Sequence, residues 1–66
     1  MSVLKVLEIM SESKESWEDA AEEGIKKASQ TVSNIKSANI QNQSATVSDG
    51  KITSYRVNLK ISFEVD

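Results

Sequence analysis

Because histidine and cysteine are absent, the side chains of this chain that could serve in general acid–base chemistry are carboxylates, lysines and Tyr55. General acid–base catalysis at neutral pH needs a group whose pKa lies near 7, and histidine is the usual one. Without cysteine, disulfides and thiolate metal sites are also excluded. We therefore expect that the protein is not an enzyme.

Five acidic residues fall close together in the first half of the chain: Glu15, Glu18, Asp19, Glu22 and Glu23. Their simplest interpretation is a solvated helix face. The alternative is a site for a hard cation such as calcium, which takes about 6–8 oxygen ligands. The spacing of an EF-hand loop is absent, so subunits would have to build such a site together.

Four basic residues are candidates for an anion-attracting patch on a sheet: Lys5, Lys36, Arg56 and Lys60. Arg56 can form a forked pair of hydrogen bonds with a phosphate or a carboxylate. The alternative is an ion pair between subunits, with an acidic partner among Glu8, Glu64 and Asp66. Since the formal charge is −2, the basic excess of a nucleic-acid-binding protein is missing.

The chain contains no apolar run near the ~20 residues that a membrane-spanning helix needs. Its first residues lack the apolar core of a secretion signal. We expect a single domain over residues 1–66, located in the cytoplasm, with no membrane or nucleic-acid partner.

One segment, Ser16–Ile35, has the pattern of a helix. Ser16 is a credible N-cap, acidic residues follow it in the first turns, and Lys26 and Lys27 come later, as the helix dipole favours. The predicted buried stripe contains mainly small residues: Trp17, Ala20, Ala21, Gly24, Ile25, Ala28, Val32 and Ile35. A buried stripe of small residues predicts that the helix lies close to a sheet.

Trp17, the only tryptophan, has two interpretations. The simpler one is a core anchor at the start of the helix, and the alternative is a surface that stacks on a ligand.

Three segments have the pattern of strands, and the order predicted is strand, helix, strand, strand. They span Val3–Met10, Lys36–Val47 and Ile52–Val65, and the last two are joined by a four-residue loop, Ser48–Lys51. The last strand alternates apolar and polar residues, so the helix should pack on its apolar face. We expect the first strand to pair beside the last one.

The predicted elements differ in length. Twenty helical residues span roughly 30 Å, whereas a strand of fourteen residues spans roughly 46 Å. One helix cannot cover such a ribbon, and a chain of 66 residues is marginally stable alone. We therefore predict self-assembly with other copies of the chain.

The chain resembles the dodecins, which are small proteins that assemble as hollow dodecamers. The matching stretches lie along most of the sequence: Val3–Ile9, Ser16–Ala21, Thr31–Ile35, Asp49–Lys51 and Tyr55–Phe63. The resemblance implies an α+β fold of β-α-β-β order, in which a three-stranded antiparallel sheet wraps one helix and the chains form a hollow homododecamer.

The resemblance also implies a small-ligand binding or storage protein of a flavin-binding family. Flavin-binding dodecins carry a tryptophan after the helix and a glutamine on the third strand, and the matching residues here are Ser37 and Arg56. A serine offers no ring to stack on a flavin, so we expect tight flavin binding to be weakened or lost. Two alternatives remain: a calcium-associated structural assembly, and a binder of a phosphate-bearing nucleotide or flavin through Arg56.

Overall fold

The computed structural model describes residues 2–65, which form one helix and one three-stranded sheet. The elements follow in the order β1 (Leu4–Ser13), α1 (Trp17–Ser29), β2 (Ile35–Ser48) and β3 (Lys51–Glu64). Both strand pairs are antiparallel, and β3 lies between β1 and β2. This confirms the predicted β-α-β-β order and the pairing of the first strand with the last.

The core lies between α1 and the apolar face of β3. Val57, Leu59 and Ile61, at alternate positions of β3, are fully buried, and Ala20 of α1 is fully buried against them. Strict alternation places every second side chain of a strand on the same face. The apolar face of the last strand therefore packs on the helix as predicted.

Helix α1 is shorter than the sequence pattern suggested. It begins as expected, because the Ser16 hydroxyl accepts a hydrogen bond from the Asp19 amide at 2.9 Å. It ends at Ser29, so the prediction that the helix continues to Ile35 is wrong. Thr31 and Val32 are β-branched, and Ser33 competes for backbone hydrogen bonds. Asn34 has a φ of 63°, which a right-handed helix does not continue through.

Gly24 lets α1 approach the sheet closely. A Cβ atom at this position would lie 2.9 Å from the Cβ of Ser11 and 3.0 Å from the Cδ1 of Leu59. Glycine in a helix is unfavourable by about 1 kcal/mol relative to alanine. The close contact with β1 and β3 explains why the helix has a glycine at this position.

We expect the Gly24→Ala substitution to destabilise the fold. Alanine would gain about 1 kcal/mol in helix propensity, but overpacking against Ser11 and Leu59 costs typically about 1–3 kcal/mol. Thermal unfolding followed by circular dichroism measures the net change. Lys26→Ala on the same helix, at an exposed position, is the matched control, and a Gly24→Ala variant more stable than wild type would contradict the close-packing argument.

The strands differ from the predicted ranges at their ends. β1 continues to Ser13 rather than ending at Met10, because its ladder with the long strand β3 persists to the Ser13–Tyr55 pair. The loop between β2 and β3 has two residues rather than four. Asp49 and Gly50 both have positive φ, 52° and 74°, as the tightest hairpin turns require.

The difference in length between the helix and the rest of the chain is larger than predicted. Thirteen helical residues span roughly 20 Å, whereas the chain is 51 Å long in its greatest dimension. On β1, an edge strand, the apolar side chains of Leu4, Val6 and Met10 are each more than half exposed. A single chain therefore leaves a considerable apolar surface in contact with water.

The other edge strand, β2, is irregular. Its register with β3 shifts at three points, between Ile35 and Ser37, between Ile40 and Asn42, and between Thr46 and Val47. Such bulges bend a strand and increase its twist. They allow the long hairpin to curve past the helix.

Candidate functional site

Ser37 and Arg56 both lie on the outer face, which we define as the surface of the sheet turned away from α1. Ser37 pairs in register with Ser62, and Arg56 pairs with Glu12 on β1 and Ser44 on β2. These partners alternate with the residues that face the helix. The polar face predicted for the last strand is therefore this outer face.

Ser37 is exposed near the start of β2. Its hydroxyl pairs with the Ser62 hydroxyl directly across the ladder. Two hydroxyls can donate and accept hydrogen bonds, but they offer no aromatic surface. The chain has a small polar surface at this point of the outer face.

Arg56 is paired with a carboxylate of the same chain. Its Nε donates to the Oε1 of Glu12 at 2.6 Å, across the ladder between β3 and β1. Within the described residues of one chain, Glu12 is therefore the partner of Arg56. An ion pair between subunits with Glu8, Glu64 or Asp66 stays a prediction, and Asp66 lies outside the described residues. Glu12 takes this role because β1 extends past Met10 and brings its carboxylate opposite Arg56.

The guanidinium of Arg56 holds the pKa of Glu12 below its ordinary value, and a hydrogen bond with the Ser54 hydroxyl acts in the same direction. A carboxyl group whose pKa is lower in the folded state stabilises the fold at neutral pH. That contribution is lost as the pH falls through the lowered pKa.

The other charges of the outer face are also matched across strands. Lys60 stands directly opposite Glu8 in the ladder, and the Nζ of Lys36 lies 4.0 Å from the Oε1 of Glu64. Each cation of this face thus has an acidic neighbour. Lys5 was predicted in the same patch, but it pairs with Phe63 and so lies on the helix side of the sheet.

Within one chain, Ser37 and Arg56 do not form a shared pocket. Their positions differ by six residues along β3, from Ser62 to Arg56, which corresponds to roughly 20 Å. Two open clefts of about 320 and 350 Å³ lie on the helix side of the sheet and contain neither residue. A pocket on the outer face that used both residues would need a second chain.

The acidic residues of α1 do not form a metal site within residues 2–65. No group of three or more acidic side chains in this range is placed to hold an ion. Glu15, Glu18, Glu22 and Glu23 are exposed, and Asp19 accepts a hydrogen bond from the Ser13 hydroxyl at 2.6 Å. Within the described chain, this arrangement corresponds to the solvated helix face.

Trp17 packs as an anchor at the start of α1. Its ring meets Tyr55 edge to face, with centroids 4.8 Å apart, and its Nε1 donates to the Ser44 carbonyl oxygen at 2.8 Å. These contacts join the helix to both strands of the hairpin. The interpretation of Trp17 as a core anchor fits this geometry better than stacking on a ligand.

Sequence reasoning missed Glu12, which lies beyond Met10, the predicted end of the first strand. A signal was available, because the alternation of β1 continues through Ser11-Glu12-Ser13 with Glu12 on the same side as Glu8 and Met10. Small serines in place of large apolar residues concealed the strand. Ser11 faces the close approach of Gly24, where a larger side chain would not fit.

These features define a class of protein: a short α+β chain whose sheet wraps one helix and whose outer face combines exposed apolar side chains on β1 with charges that are matched across strands. The family model described as Dodecin matches residues 3–66. The chain belongs to the dodecin family.

Individual relatives agree with this assignment. The chain is 44% identical to "Calcium dodecin" of Mycobacterium tuberculosis over 66 residues, which cover 98% of this chain and 92% of the relative. A crystal structure of calcium dodecin from the same organism, described as calcium chelating with a novel calcium-binding site, has a TM-score of 0.85 at 39% identity, covering 98% of this chain and 93% of that one. Dodecin from Streptomyces davaonensis has a TM-score of 0.94 at 29% identity, covering 98% and 96%.

Within residues 2–65, no helix has the length and apolar character required to cross a membrane.

Proposed function

We propose that the chain is a non-enzymatic, self-assembling protein that binds or stores a small ligand in pockets shared between copies, in the form of a homododecamer. The observation that carries this proposal is the exposed apolar side of β1, where Leu4, Val6 and Met10 lack cover in a single chain. Apolar burial contributes about 25 cal/mol per Å², so covering this strand favours association. Membership of the dodecin family supports the same conclusion.

Ser37 and Arg56 are the residues that we place at the ligand site. They share the outer face but lie too far apart to meet in one chain. In a symmetric assembly, Ser37 of one copy can approach Arg56 of another, and symmetry repeats the pocket through the particle. We propose the cytoplasm as the location of this particle.

Flavin is a weak ligand in this proposal. Ser37 supplies a hydroxyl that already pairs with Ser62, where a stacking ring would be needed. Arg56 supplies only donors and is held by Glu12. The pocket retains the position of a flavin site without its principal apolar contact.

The second candidate is a calcium-associated structural assembly. It is favoured by the 44% identity to calcium dodecin over nearly the whole chain. Because no acidic side chains within residues 2–65 of one chain are grouped so that they could hold a metal ion, calcium would be bound by oxygens from several copies. Ions bound in this way would connect subunits.

Light scattering with and without a calcium chelator tests both candidates. We expect a mass near twelve times the 7.3 kDa of one chain in calcium. An unchanged mass in chelator favours the ligand-binding particle, and a lower mass favours calcium as a structural ion. A folded monomer under both conditions contradicts the proposal, and magnesium added in place of calcium is the control for non-specific ion effects.

The third candidate, a phosphate-bearing nucleotide held by Arg56, has less support. The guanidinium is paired with Glu12 at 2.6 Å, and the neighbouring cations on the outer face are matched by carboxylates. No observation of the described residues favours this candidate over the first two.

A further inference from the structure

The guanidinium of Arg56 is only partly engaged by its pair with Glu12. The hydrogen bond engages Nε of the guanidinium, and within residues 2–65 the terminal nitrogens Nη1 and Nη2 make no hydrogen bond. The two side chains remain 44% and 50% exposed. Nη1 and Nη2 are thus available to donate to a ligand, while the positive charge of the guanidinium is balanced by the Glu12 carboxylate in direct contact.

The register of β1 with β3 places Glu12 directly opposite Arg56. Ser54, the preceding outer-face residue of β3, is only 7% exposed, and its hydroxyl pairs with that of Thr46 on β2. The 2.6 Å hydrogen bond across the ladder holds Glu12 against Arg56, and an incoming anion has to compete with this carboxylate for the guanidinium.

We propose that Glu12 is a specificity-determining residue, which keeps anions away from Arg56 and restricts the outer face to neutral ligands with hydrogen-bond acceptors. The inference rests on the proposed position of Arg56 at the ligand site. Phosphates and carboxylates must approach a guanidinium whose charge is already balanced. A neutral ligand, by contrast, can accept from Nη1 and Nη2 without repulsion from Glu12.

The surroundings favour the same ligand class. Lys60 and Lys36, the other cations of the outer face, lie opposite or near Glu8 and Glu64, so they add no net positive field. The remaining side chains of β2 on this face are hydroxyls and amides, which donate and accept without charge: Ser37, Asn39, Asn42, Ser44 and Thr46.

The test is a calorimetric titration with inorganic phosphate at neutral pH, comparing wild type with Glu12→Gln. Glutamine keeps the size and an acceptor oxygen but removes the charge. We expect weak phosphate binding by wild type and an affinity on the order of fivefold to tenfold higher for Glu12→Gln, from the loss of one unit charge close to the anion. The gain should decrease at high salt.

Three controls keep the result specific. Glu22→Gln makes the same change of charge on the exposed side of α1 and should leave phosphate affinity unchanged. Glu12→Asp keeps the charge and should behave like wild type. In the double variant Glu12→Gln with Arg56→Gln, the gain should disappear, which a purely structural role of Glu12 does not predict.

Equal phosphate affinity of wild type and Glu12→Gln, including no binding by either, overturns the proposal. So does a gain that persists without Arg56. Glu12→Ala provides a second removal of the charge if Glu12→Gln folds poorly. Light scattering on the same samples separates the two proposals, because a failure of assembly contradicts the proposed function while the phosphate titration still reports on the pair.

Discussion

Replacing Ser37 by tryptophan and Arg56 by glutamine together is expected to raise the affinity for riboflavin at least about a hundredfold, or ~2.8 kcal/mol. A tryptophan adds roughly 200 Å² of contact surface, which corresponds to about 5 kcal/mol before the costs of binding. Glutamine replaces a donor-only group by one that both donates and accepts. Quenching of riboflavin fluorescence measures the affinity.

The single variants separate the two contributions. Ser37→Trp alone should account for most of the gain, because stacking supplies most of the buried area. Ser37→Ala removes the hydroxyl without adding a ring and should leave riboflavin binding as weak as in wild type. Nanomolar quenching by wild type would refute the expectation of weak flavin binding, and a double variant without any gain would show that the ligand site lies elsewhere.

Introducing aspartate at both Val6 and Met10 is expected to abolish assembly. Both side chains are about 60% exposed in one chain and lie on the same side of β1. Burial of an unpaired charge carries a penalty of several kcal/mol per ion, repeated in every copy. Light scattering should show a loss of the large particle, and circular dichroism should show a loss of the fold, since so small a chain is marginal alone.

Ser2→Asp is the matched control, because it adds a charge beside β1 at an exposed polar residue. We expect it to assemble as wild type does. A large particle that persists in the Val6 and Met10 variant would show that this side of β1 faces solvent in the assembly. A variant that becomes a stable, folded monomer would separate folding from assembly.

Much of the fold could be predicted from the local pattern of the sequence. The alternation of β3 identified Val57, Leu59 and Ile61 as core residues, and all three are fully buried. The Ser16 cap and the small stripe of Ala20, Ala21 and Gly24 also appear as expected. These signals are strong because each depends on residues within one element.

The features that could not be predicted depend on contacts between elements. The helix ends at Ser29. The positive φ of Asn34 prevents it from reaching Ile35, although Val32 and Ile35 continue a helical spacing. β1 extends to Ser13 because β3 is long enough to pair with it. The partner of Arg56 follows from that extension, so one error in a strand boundary hid the pair with Glu12.

The candidate site could be placed from sequence only in part. Ser37 and Arg56 were predicted as ligand-site residues, and this assignment stays a prediction. The charge balance of the outer face depends on which residues stand opposite each other in neighbouring strands, and this register could not be predicted from the spacing of residues in the sequence.

The uneven edges of the sheet have a consequence for how copies can join. An uninterrupted strand with free backbone groups is a template for fibril growth, but growth needs a suitable edge on both sides of each added molecule. β1 offers such an edge, whereas the three register shifts of β2 interrupt the other one. Edge-to-edge growth of the sheet into an endless filament is thereby obstructed, which agrees with the closed particle that we propose.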